Sequence, residues 1–258
     1  MATNNVKKNQ SVGKLLDIIE IMIEFGSPIR LNELSQNLNM SPTTVYRFLV
    51  TLMDRDYVRQ DPDTSRYYLT LRLKYYADKI ESNYNLNQIV HPYLRRLSAD
   101  SGESVSLVVK SDNMAVYIDK VAGTDRIVSG LQRIGKRAPL YCTGVGKVFL
   151  ADMSYEERLE VYNSQPMERF TQHTITDVDE LNKEVDHVVR DDIAYDNEEC
   201  EIGARCIAAP IRDYTGEVVA AISISGPTPR MNEKIMGNLL SLIKDCSDEI
   251  SKELGYIK

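Results

Sequence analysis

The amino-acid sequence predicts an α+β protein with two domains joined by a linker helix. Within the first 70 residues, three helical apolar periods are followed by two short runs of strand-forming residues. After residue 102, candidate strand hairpins and helices alternate, which is typical of helices packed on a largely antiparallel sheet. The 258 residues are enough for two cores. We therefore place a first domain at 1–70, the linker helix at 71–84 and a second domain at 85–258.

The charged residues are divided unevenly between these domains. The chain has a net charge of −7, yet residues 1–70 hold eight Lys or Arg and eight Asp or Glu. The acidic excess therefore belongs to residues 71–258, which argues against nucleic-acid binding over the whole surface. A neutral domain still binds DNA when its cations share one face, so the first domain remains a candidate.

The sequence contains no segment that we expect to enter a membrane or to direct secretion. Its first ten residues are polar, and no run of about 18 apolar residues occurs. The four cysteines, at positions 142, 200, 206 and 246, form no CxxC pair. They are typical of reduced thiols, so we expect a cytoplasmic protein without structural disulfides.

Two helices are predicted before the candidate DNA-binding helix. Apolar residues at helical spacing predict the first helix over 11–25, and Gly26 ends it. Its inward residues are predicted to be Val12, Leu15, Leu16, Ile19, Met22 and Ile23. Asn32 is the predicted cap of a second helix over 33–38.

A third helix and a hairpin complete the first domain. Ser41 is a predicted N-cap and Pro42 the first residue of a helix that ends near residue 53. Its buried stripe is predicted to be Val45, Phe48, Leu49 and Leu52. Strand-forming runs at 57–60 and 66–69 flank a turn at 61–65. Three helices and a hairpin in this order predict a winged helix-turn-helix.

The third helix carries the candidate DNA-binding surface, because the N-terminal part of such a helix lies in the major groove. Val45 and Phe48 point to the predicted core, so the opposite side chains are available to base edges. The candidate DNA-binding residues are Ser41, Thr43, Thr44, Tyr46 and Arg47, with Arg30 and Arg66 as phosphate contacts and Lys7 and Lys8 as a flexible arm. The alternative interpretation is a winged helix used for protein contacts, in which Arg47 is merely solvated.

Helices and strands are mixed along the second domain. Helices are predicted at 85–101, from Gly144 to about 151, at 177–190 and at 233–254. Strands are predicted at 104–109, 114–119, 127–131, 206–212 and 217–225.

Three separate patterns in the second domain are compatible with a small-molecule site. The turn 143–147 puts two glycines at a helix start, where backbone N–H groups bind anions. Ser223 and Ser225 lie two apart on an apolar strand, so both hydroxyls face one side and need partners. Asp196 and Cys206 can converge from a loop and a strand. Each pattern also has a structural interpretation: a tight turn, serines bonded to nearby backbone, and a solvated acid with a small core residue.

Motifs run along nearly the whole chain. They are SPTTVYRFL at 41–49 with Leu52 and DYV at 56–58, DPDTSRYYL at 61–69, PLYCTGVGK at 139–147, DNEE at 196–199, GARCIAAP at 203–210 and SISGP at 223–227. In order and spacing they resemble the IclR family of bacterial regulators. The family usually has Gly where Asp56 stands, at a helix end where Asp tolerates the left-handed conformation at some cost. The resemblance implies a winged helix and an effector domain similar to GAF and PAS modules, assembled as dimers or tetramers.

The resemblance also implies a transcriptional regulator, most simply a repressor, whose affinity for operator DNA is controlled by a small organic acid. In the family, the glycine turn takes the carboxylate of the effector through backbone N–H groups. The implied effector-binding residues are Gly144, Val145, Asp196, Cys206, Ser223 and Ser225. The implied effector is a keto acid, a sugar acid or an aromatic acid. Small residues at the matching positions Gly130, Ala138 and Ala204 favour a larger molecule such as a keto-deoxy sugar acid.

Two further expectations follow from charge and from contact area. Because two carboxylates repel each other, we expect Asp196 to lie at the far end of the pocket from the glycine turn. One neutral winged helix carries few cations for tight DNA binding, so we expect a homodimer or homotetramer. Ile18 and Ile21, predicted on the outer side of the first helix, are candidates for the dimer contact.

Two other classes of function are weighed against a ligand-controlled regulator. An enzyme is disfavoured because none of the three histidines has an acid and a nucleophile at a recognised spacing, and no phosphate loop occurs. A metal- or thiol-redox-sensing regulator would use Asp196 and Cys206, with Cys142 and Cys200, although their spacing is not that of a structural zinc site. We therefore expect no catalytic residue, no bound metal and no cofactor.

Overall fold

The computed structural model describes residues 9–81, 85–123, 134–164 and 166–257. The chain divides into two compact units, Met1–Tyr84 and Asn85–Lys258. Lys7, Lys8, Gly130 and the strand expected at 127–131 lie outside the described residues. None of the described helices is both long and apolar enough to cross a membrane.

Helices and a two-stranded wing form the N-terminal unit. Its elements are α1 (Gln10–Phe25), α2 (Leu31–Asn37), α3 (Pro42–Asp54), β1 (Val58–Gln60), β2 (Tyr67–Leu69) and α4 (Arg72–Glu81). The two strands pair antiparallel, with Val58 opposite Leu69. The first three helices and both strands contribute side chains to one core, which includes Ile18, Leu34, Val45, Leu49, Val58 and Tyr67. The predicted winged helix-turn-helix is confirmed.

The face that α1 buries matches the predicted one only in part. Met22 is buried and Leu15 and Ile19 are half-buried against the core, as predicted. Ile18 has no exposed surface, whereas Val12, Leu16 and Ile23 are exposed by 51%, 51% and 58%. The helix carries two apolar stripes, and spacing alone does not decide which of them meets α2 and β2. Ile18 is therefore a core residue, and its predicted role as a dimer contact is wrong. Ile21 is half-buried against the same core.

The second helix begins two residues earlier than predicted, and Asn32 is not its cap. Leu31 is its first residue, so Asn32 lies inside the first turn. The Glu33 carboxylate instead accepts a hydrogen bond from the Arg30 backbone N–H at 2.9 Å. A carboxylate in the first turn is also favoured by the positive end of a helix, so Glu33 takes the expected role of Asn32.

The third helix begins as predicted. Ser41 is its N-cap, and the Ser41 Oγ atom accepts a hydrogen bond from the Thr44 backbone N–H at 3.3 Å. Pro42 follows at the first helical position, where its missing N–H is not needed. Just beyond the helix, Asp56 has a φ of +57°, the left-handed conformation expected at this position.

A six-stranded antiparallel sheet and five helices make up the described C-terminal unit. In chain order the elements are α5 (Leu86–Ser101), β3 (Ser104–Ser111), β4 (Met114–Val121), β5 (Arg137–Pro139), α6 (Gly144–Ala151), α7 (Tyr155–Ser164), α8 (Val178–Asp191), β6 (Ala194–Asn197), β7 (Ala204–Arg212), β8 (Val218–Pro227) and α9 (Glu233–Glu253). The strand order is β5-β4-β3-β8-β7-β6. The predicted α+β class with a largely antiparallel sheet is confirmed.

Three short elements of this unit are absent from the sequence-based expectation. β5 and β6 contain three and four residues, too few to display a strand period. α7 is mostly polar and buries only Arg158 and Tyr162, so its apolar period is weak. These elements form through contacts with distant parts of the chain, which the local sequence does not reveal.

Helices cover both faces of the sheet. Ile207 and Ile224 belong to the core shared with α5 and α9, whereas Ala208 and Ala221 belong to the core shared with α6 and α8. This alternation follows from the two-residue period of a strand. Small side chains on the second face let α6 approach closely, and every residue from 144 to 150 is buried.

Candidate functional site

The exposed side of α3 carries most of the predicted DNA contacts. Thr43, Tyr46 and Arg47 are exposed, and Thr44 is half-buried. The Ser41 Oγ atom lies 2.8 Å from the Thr44 Oγ1 atom, so these two hydroxyls are bonded to each other. Arg47 forms no ion pair with any described residue. Its guanidinium is therefore available to an anion or a base edge.

The two arginines expected to contact phosphates differ in their surroundings. Arg30 is exposed and has no ion pair among the described residues. The Arg66 Nη1 atom donates to the Pro28 carbonyl at 2.9 Å and lies 3.7 Å from the Glu33 Oε2 atom. Arg66 therefore fastens the wing to the connection between α1 and α2, and its guanidinium is already engaged without DNA.

A small cavity of about 40 Å³ lies at the start of α6. Five of the six expected effector-binding residues line it, namely Val145, Asp196, Cys206, Ser223 and Ser225. The sixth, Gly144, packs against Cys206, where a Cβ atom on Gly144 would lie 2.8 Å from the Cys206 Sγ atom. Ala204 also lines the cavity, whereas Ala138 on β5 is not among its described lining residues. The fold thus brings together residues that are separate in the sequence.

The glycine turn is shaped by packing as well as by its N–H groups. The Thr143 Oγ1 atom caps α6 and accepts a hydrogen bond from the Gly146 N–H at 3.1 Å. A Cβ atom on Gly146 would collide with the backbone of Leu140, so only glycine fits there. An anion at this helix start would therefore use the N–H groups of Gly144 and Val145, because that of Gly146 is taken.

The serine hydroxyls form a polar patch on the sheet below α6. Ser223 and Ser225 face the same side of β8, and Ser106 on β3 lies directly opposite Ser223. Among the described residues, the buried Oγ atoms of Ser106 and Ser225 have no hydrogen-bond partner. Sequence reasoning missed Ser106 and the cavity-lining Tyr117 on β4. The alternating serines of β3, which repeat the pattern of β8, are a signal that points to Ser106.

Asp196 lies close to the glycine turn. It pairs in the sheet with Cys206, the residue that touches Gly144, so the expectation that it lies at the far end is wrong. The carboxyl is buried, and its Oδ1 atom accepts a hydrogen bond from the Glu199 N–H at 2.8 Å. Burial is the main cause that raises the pKa of Asp196 to about 7. A carboxyl with this pKa can hold its proton at neutral pH, and the protonated form does not repel an anion beside it.

A buried ion pair fastens the loop after Asp196 to α6. The Lys147 side chain has no exposed surface, and its Nζ atom donates to the Glu199 Oε1 atom at 2.6 Å and to the Tyr195 carbonyl at 2.9 Å. The Glu199 Oε2 atom is buried and has no partner among the described residues. Burial raises the pKa of Glu199, and the nearby Lys147 opposes that shift.

Sequence reasoning missed this pair because 52 residues separate its members. One signal was present in the sequence. Lys147 is the sole charged residue of the otherwise apolar helix GVGKVFLA. A charge in a buried helix requires a partner, although the sequence does not say which residue supplies it.

The thiols near the cavity differ in their surroundings. In the part of the chain that the structure describes, no three His, Cys, Asp or Glu side chains are placed to hold one metal ion. A hydrogen bond between Cys142 and Cys200 raises the pKa of the first thiol and lowers that of the second. Burial raises the pKa of the Cys206 thiol, so this sulfur is protonated and a weak nucleophile.

Family models match both units of the chain. The model described as "Bacterial transcriptional regulator IclR C-terminal" matches residues 79–252. The model described as "IclR helix-turn-helix domain" matches residues 11–62. Together they cover the three helices and first strand of the winged helix and most of the unit that contains the cavity.

Similar proteins agree with these matches. The HTH-type transcriptional regulator KdgR of Dickeya chrysanthemi is 36% identical over 97% of this chain and 82% of its own. The HTH-type transcriptional repressor AllR of Escherichia coli K12 is 30% identical over 96% of this chain and 92% of its own. The crystal structure of the Thermotoga maritima IclR has a TM-score of 0.64 and 31% identity, covering 96% of this chain and 99% of that one.

The relatives are named as transcriptional regulators or repressors, which confirms the expectation that the chain is not an enzyme. The helix-turn-helix match assigns binding of operator DNA to the N-terminal unit. The chain therefore belongs to the IclR family of bacterial transcriptional regulators.

Proposed function

We propose that this regulator is a repressor that reads its operator through α3 and loses operator affinity when a small organic acid binds at the start of α6. Repression is supported by the name of one relative, a transcriptional repressor that is 30% identical. The effector class, the contacting residues and the oligomeric state are parts of the same proposal.

The shared cavity is the main observation that supports the proposed effector site. Asp196, Cys206, Ser223 and Ser225 come from three neighbouring strands and meet one helix start. The Ser225 Oγ atom is buried without a partner in the described residues, and a buried hydroxyl without a partner costs about 1–3 kcal/mol. A ligand hydroxyl or keto oxygen would supply that partner. The polar cavity therefore supports a ligand with both a carboxylate and further oxygen atoms.

The carboxylate of the acid is proposed to bind the N–H groups of Gly144 and Val145. A helix start favours negative charge, and α6 adds no acidic side chain in its first turn. The buried Asp196 carboxyl beside it is proposed to bind in its protonated form and to donate to the ligand. This arrangement places two carboxyl groups together without two negative charges.

The size of the cavity supports a change of conformation when the effector binds. Small-molecule sites usually enclose about 300–1,000 Å³, whereas this cavity encloses about 40 Å³. An organic acid therefore requires the lining elements to separate. A ligand that binds only the opened arrangement stabilises it, and this is how a ligand shifts a population of conformations.

The DNA-binding surface is proposed to consist of Thr43, Thr44, Tyr46 and Arg47 on α3, with Arg30 as a phosphate contact. Ser41 acts mainly as the helix cap. Arg66 acts mainly by holding the wing in place. The contact between copies in a dimer or tetramer is proposed to use the exposed stripe of α1, which consists of Val12, Leu16 and Ile23.

A thermal-shift screen of keto, sugar and aromatic acids tests the effector class, since a ligand of the native state raises its stability. The best acid is then added to the protein bound to a DNA duplex selected from a random library. The proposal predicts stabilisation by at least one acid and release of the duplex at the same concentrations. Stabilisation without any change in DNA affinity contradicts the proposed control of operator binding.

A further inference from the structure

A polar groove of about 320 Å³ runs between the N-terminal end of α1 and the side of α3. Its lining residues are Ser11, Lys14, Thr44, Arg47, Phe48 and Thr51. We infer that this groove holds a phosphate of the operator backbone and that Lys14 is the phosphate contact. The first helix of the unit, to which no DNA contact is otherwise assigned, then takes part in placing α3 on the DNA.

The α1 wall of the groove is a polar extension of the buried face of that helix. Lys14 precedes the core residue Ile18 by four positions, so both lie on one face. Ser11 and Lys14 are exposed, whereas Ile18 has no exposed surface. The face therefore changes from apolar to polar where α1 runs past the core. The cation of Lys14 stands next to α3 and not on the outer side of the molecule.

The α3 wall presents residues at helical spacing. Thr44, Arg47, Phe48 and Thr51 occupy positions i, i+3, i+4 and i+7, which form one face. Phe48 is half-buried and packs against the core of the unit, so it forms the floor. The Thr51 Oγ1 atom donates a hydrogen bond to the Arg47 carbonyl oxygen at 3.1 Å. The two cationic side chains form no ion pair with a described residue, so both are available to bind an anion.

The positive charge of the groove favours an anion over a neutral occupant. Lys14 and Arg47 stand on facing walls, and neither forms an ion pair with a described residue. Two cations that share one groove repel each other, and a phosphate bound by Lys14 reduces that repulsion while the Arg47 guanidinium reaches a base edge. Since α3 is the element that reads DNA in a helix-turn-helix, the nearest anion in the complex is a backbone phosphate.

A phosphate contact and a base contact have different experimental signatures. Each lysine–phosphate contact contributes about 0.9 to the slope of log K against log salt, and it carries no sequence information. Lys14→Gln should therefore reduce that slope by about 0.9 per protomer bound. Over the decade from 1 M to 0.1 M salt, this slope difference corresponds to a loss of about eightfold in affinity per protomer.

Fluorescence anisotropy of the full chain measures the affinity and its salt slope on two duplexes. One duplex is selected from a random library, and the other has a scrambled sequence. Lys183→Gln is the matched control, because it removes one exposed lysine from α8 and lowers the net charge by the same amount. Lys14→Arg is the conservative variant and should retain the wild-type slope. Circular dichroism melting should give wild-type values for Lys14→Gln, since the side chain lies on the surface.

The expected result is a smaller slope and an equal fold loss on both duplexes for Lys14→Gln, with a wild-type slope for Lys183→Gln. Wild-type slope and affinity for Lys14→Gln overturn the inference. Equal effects of the two substitutions also overturn it, because net charge then explains the loss. A loss confined to the selected duplex overturns it too, since Lys14 would then read a base.

Discussion

At the scale of single residues, burial decides what Asp196 contributes to the cavity. From the sequence it is a negative charge that an anionic ligand must avoid. In the fold it is paired beside Cys206 and about nine-tenths buried, and burial raises its pKa to about 7. The residue type alone therefore does not predict whether Asp196 is charged in the site. Strand pairing, which the sequence does not display, places this carboxyl beside the glycine turn.

The raised pKa of Asp196 predicts how stability depends on pH. Between about pH 4 and pH 7, the unfolded chain has lost this proton while the folded chain keeps it. The unfolded state then binds fewer protons, so the free energy of unfolding falls as pH rises, by up to about 1.4 kcal/mol per pH unit. Urea unfolding of the wild type and of Asp196→Asn from pH 4.5 to 7.5 measures the difference.

The stability advantage of wild type over Asp196→Asn should shrink steadily as pH rises through this window. Asp179→Asn, which removes an exposed carboxyl at the start of α8, is the control for general effects of net charge. Parallel stability curves for the wild type and Asp196→Asn would contradict the raised pKa.

The pair of Lys147 and Glu199 predicts a large and non-additive loss of stability. Lys147→Met leaves the Glu199 carboxylate buried without its cation, which costs about 3–5 kcal/mol when a buried pair is broken. Lys147→Met combined with Glu199→Gln removes both charges and should recover much of that loss. Glu184→Gln is a milder comparison, since Glu184 is 35% exposed and 3.8 Å from the Lys147 Nζ atom. If the loss of stability in the double variant equals the sum of the losses in the two single variants, the two side chains do not interact.

At the scale of elements, the sequence predicts best where a local signal is strong. Ser41 followed by Pro42 places the start of α3 correctly, because a cap and a first-turn proline act through neighbouring atoms. The start of α2 is misplaced because Glu33 caps it from inside the first turn, where Asn32 was the conspicuous candidate. The strands β5 and β6 are too short to carry a period, and partners distant in the sequence hold them in the sheet.

The exposed side of α3 predicts a specific effect of Arg47→Ala. Arg47 is exposed on α3 and free of ion pairs among the described residues, so it can bond a base edge or a phosphate. The substitution should weaken binding to the selected duplex by about 1–3 kcal/mol and relax the preference at one position of the site. Selection from a random library with each protein, at one salt concentration, measures both effects. Wild-type affinity for selected and scrambled DNA would remove Arg47 from the reading surface.

At the scale of the whole molecule, the exposed stripe of α1 predicts the assembly. Val12, Leu16 and Ile23 lie on one side of the helix and are each about half exposed. Leu16→Glu should therefore convert a dimer into monomers and weaken DNA binding, because the second half-site is lost. Ile257→Glu, at another exposed apolar residue, is the control and should leave the assembly intact. Light scattering at micromolar concentration measures the oligomeric state of each protein, and a monomeric wild type would contradict the proposed oligomer.

Control of operator binding by an organic acid depends on binding of that acid in the cavity at the start of α6. Calorimetric titration of wild type, Ser225→Ala and Ser98→Ala with the acid found in the screen measures this binding. The Ser225 Oγ atom has no partner among the described residues, whereas the Ser98 Oγ atom donates to the Glu103 carbonyl at 2.9 Å. Ser225→Ala should lower acid affinity by about 2- to 12-fold and leave the unliganded protein at least as stable as wild type, because it removes a buried hydroxyl that has no partner among the described residues. Ser98→Ala should lower stability at unchanged affinity. Wild-type affinity in Ser225→Ala would show that the acid does not bind at the Ser225 hydroxyl.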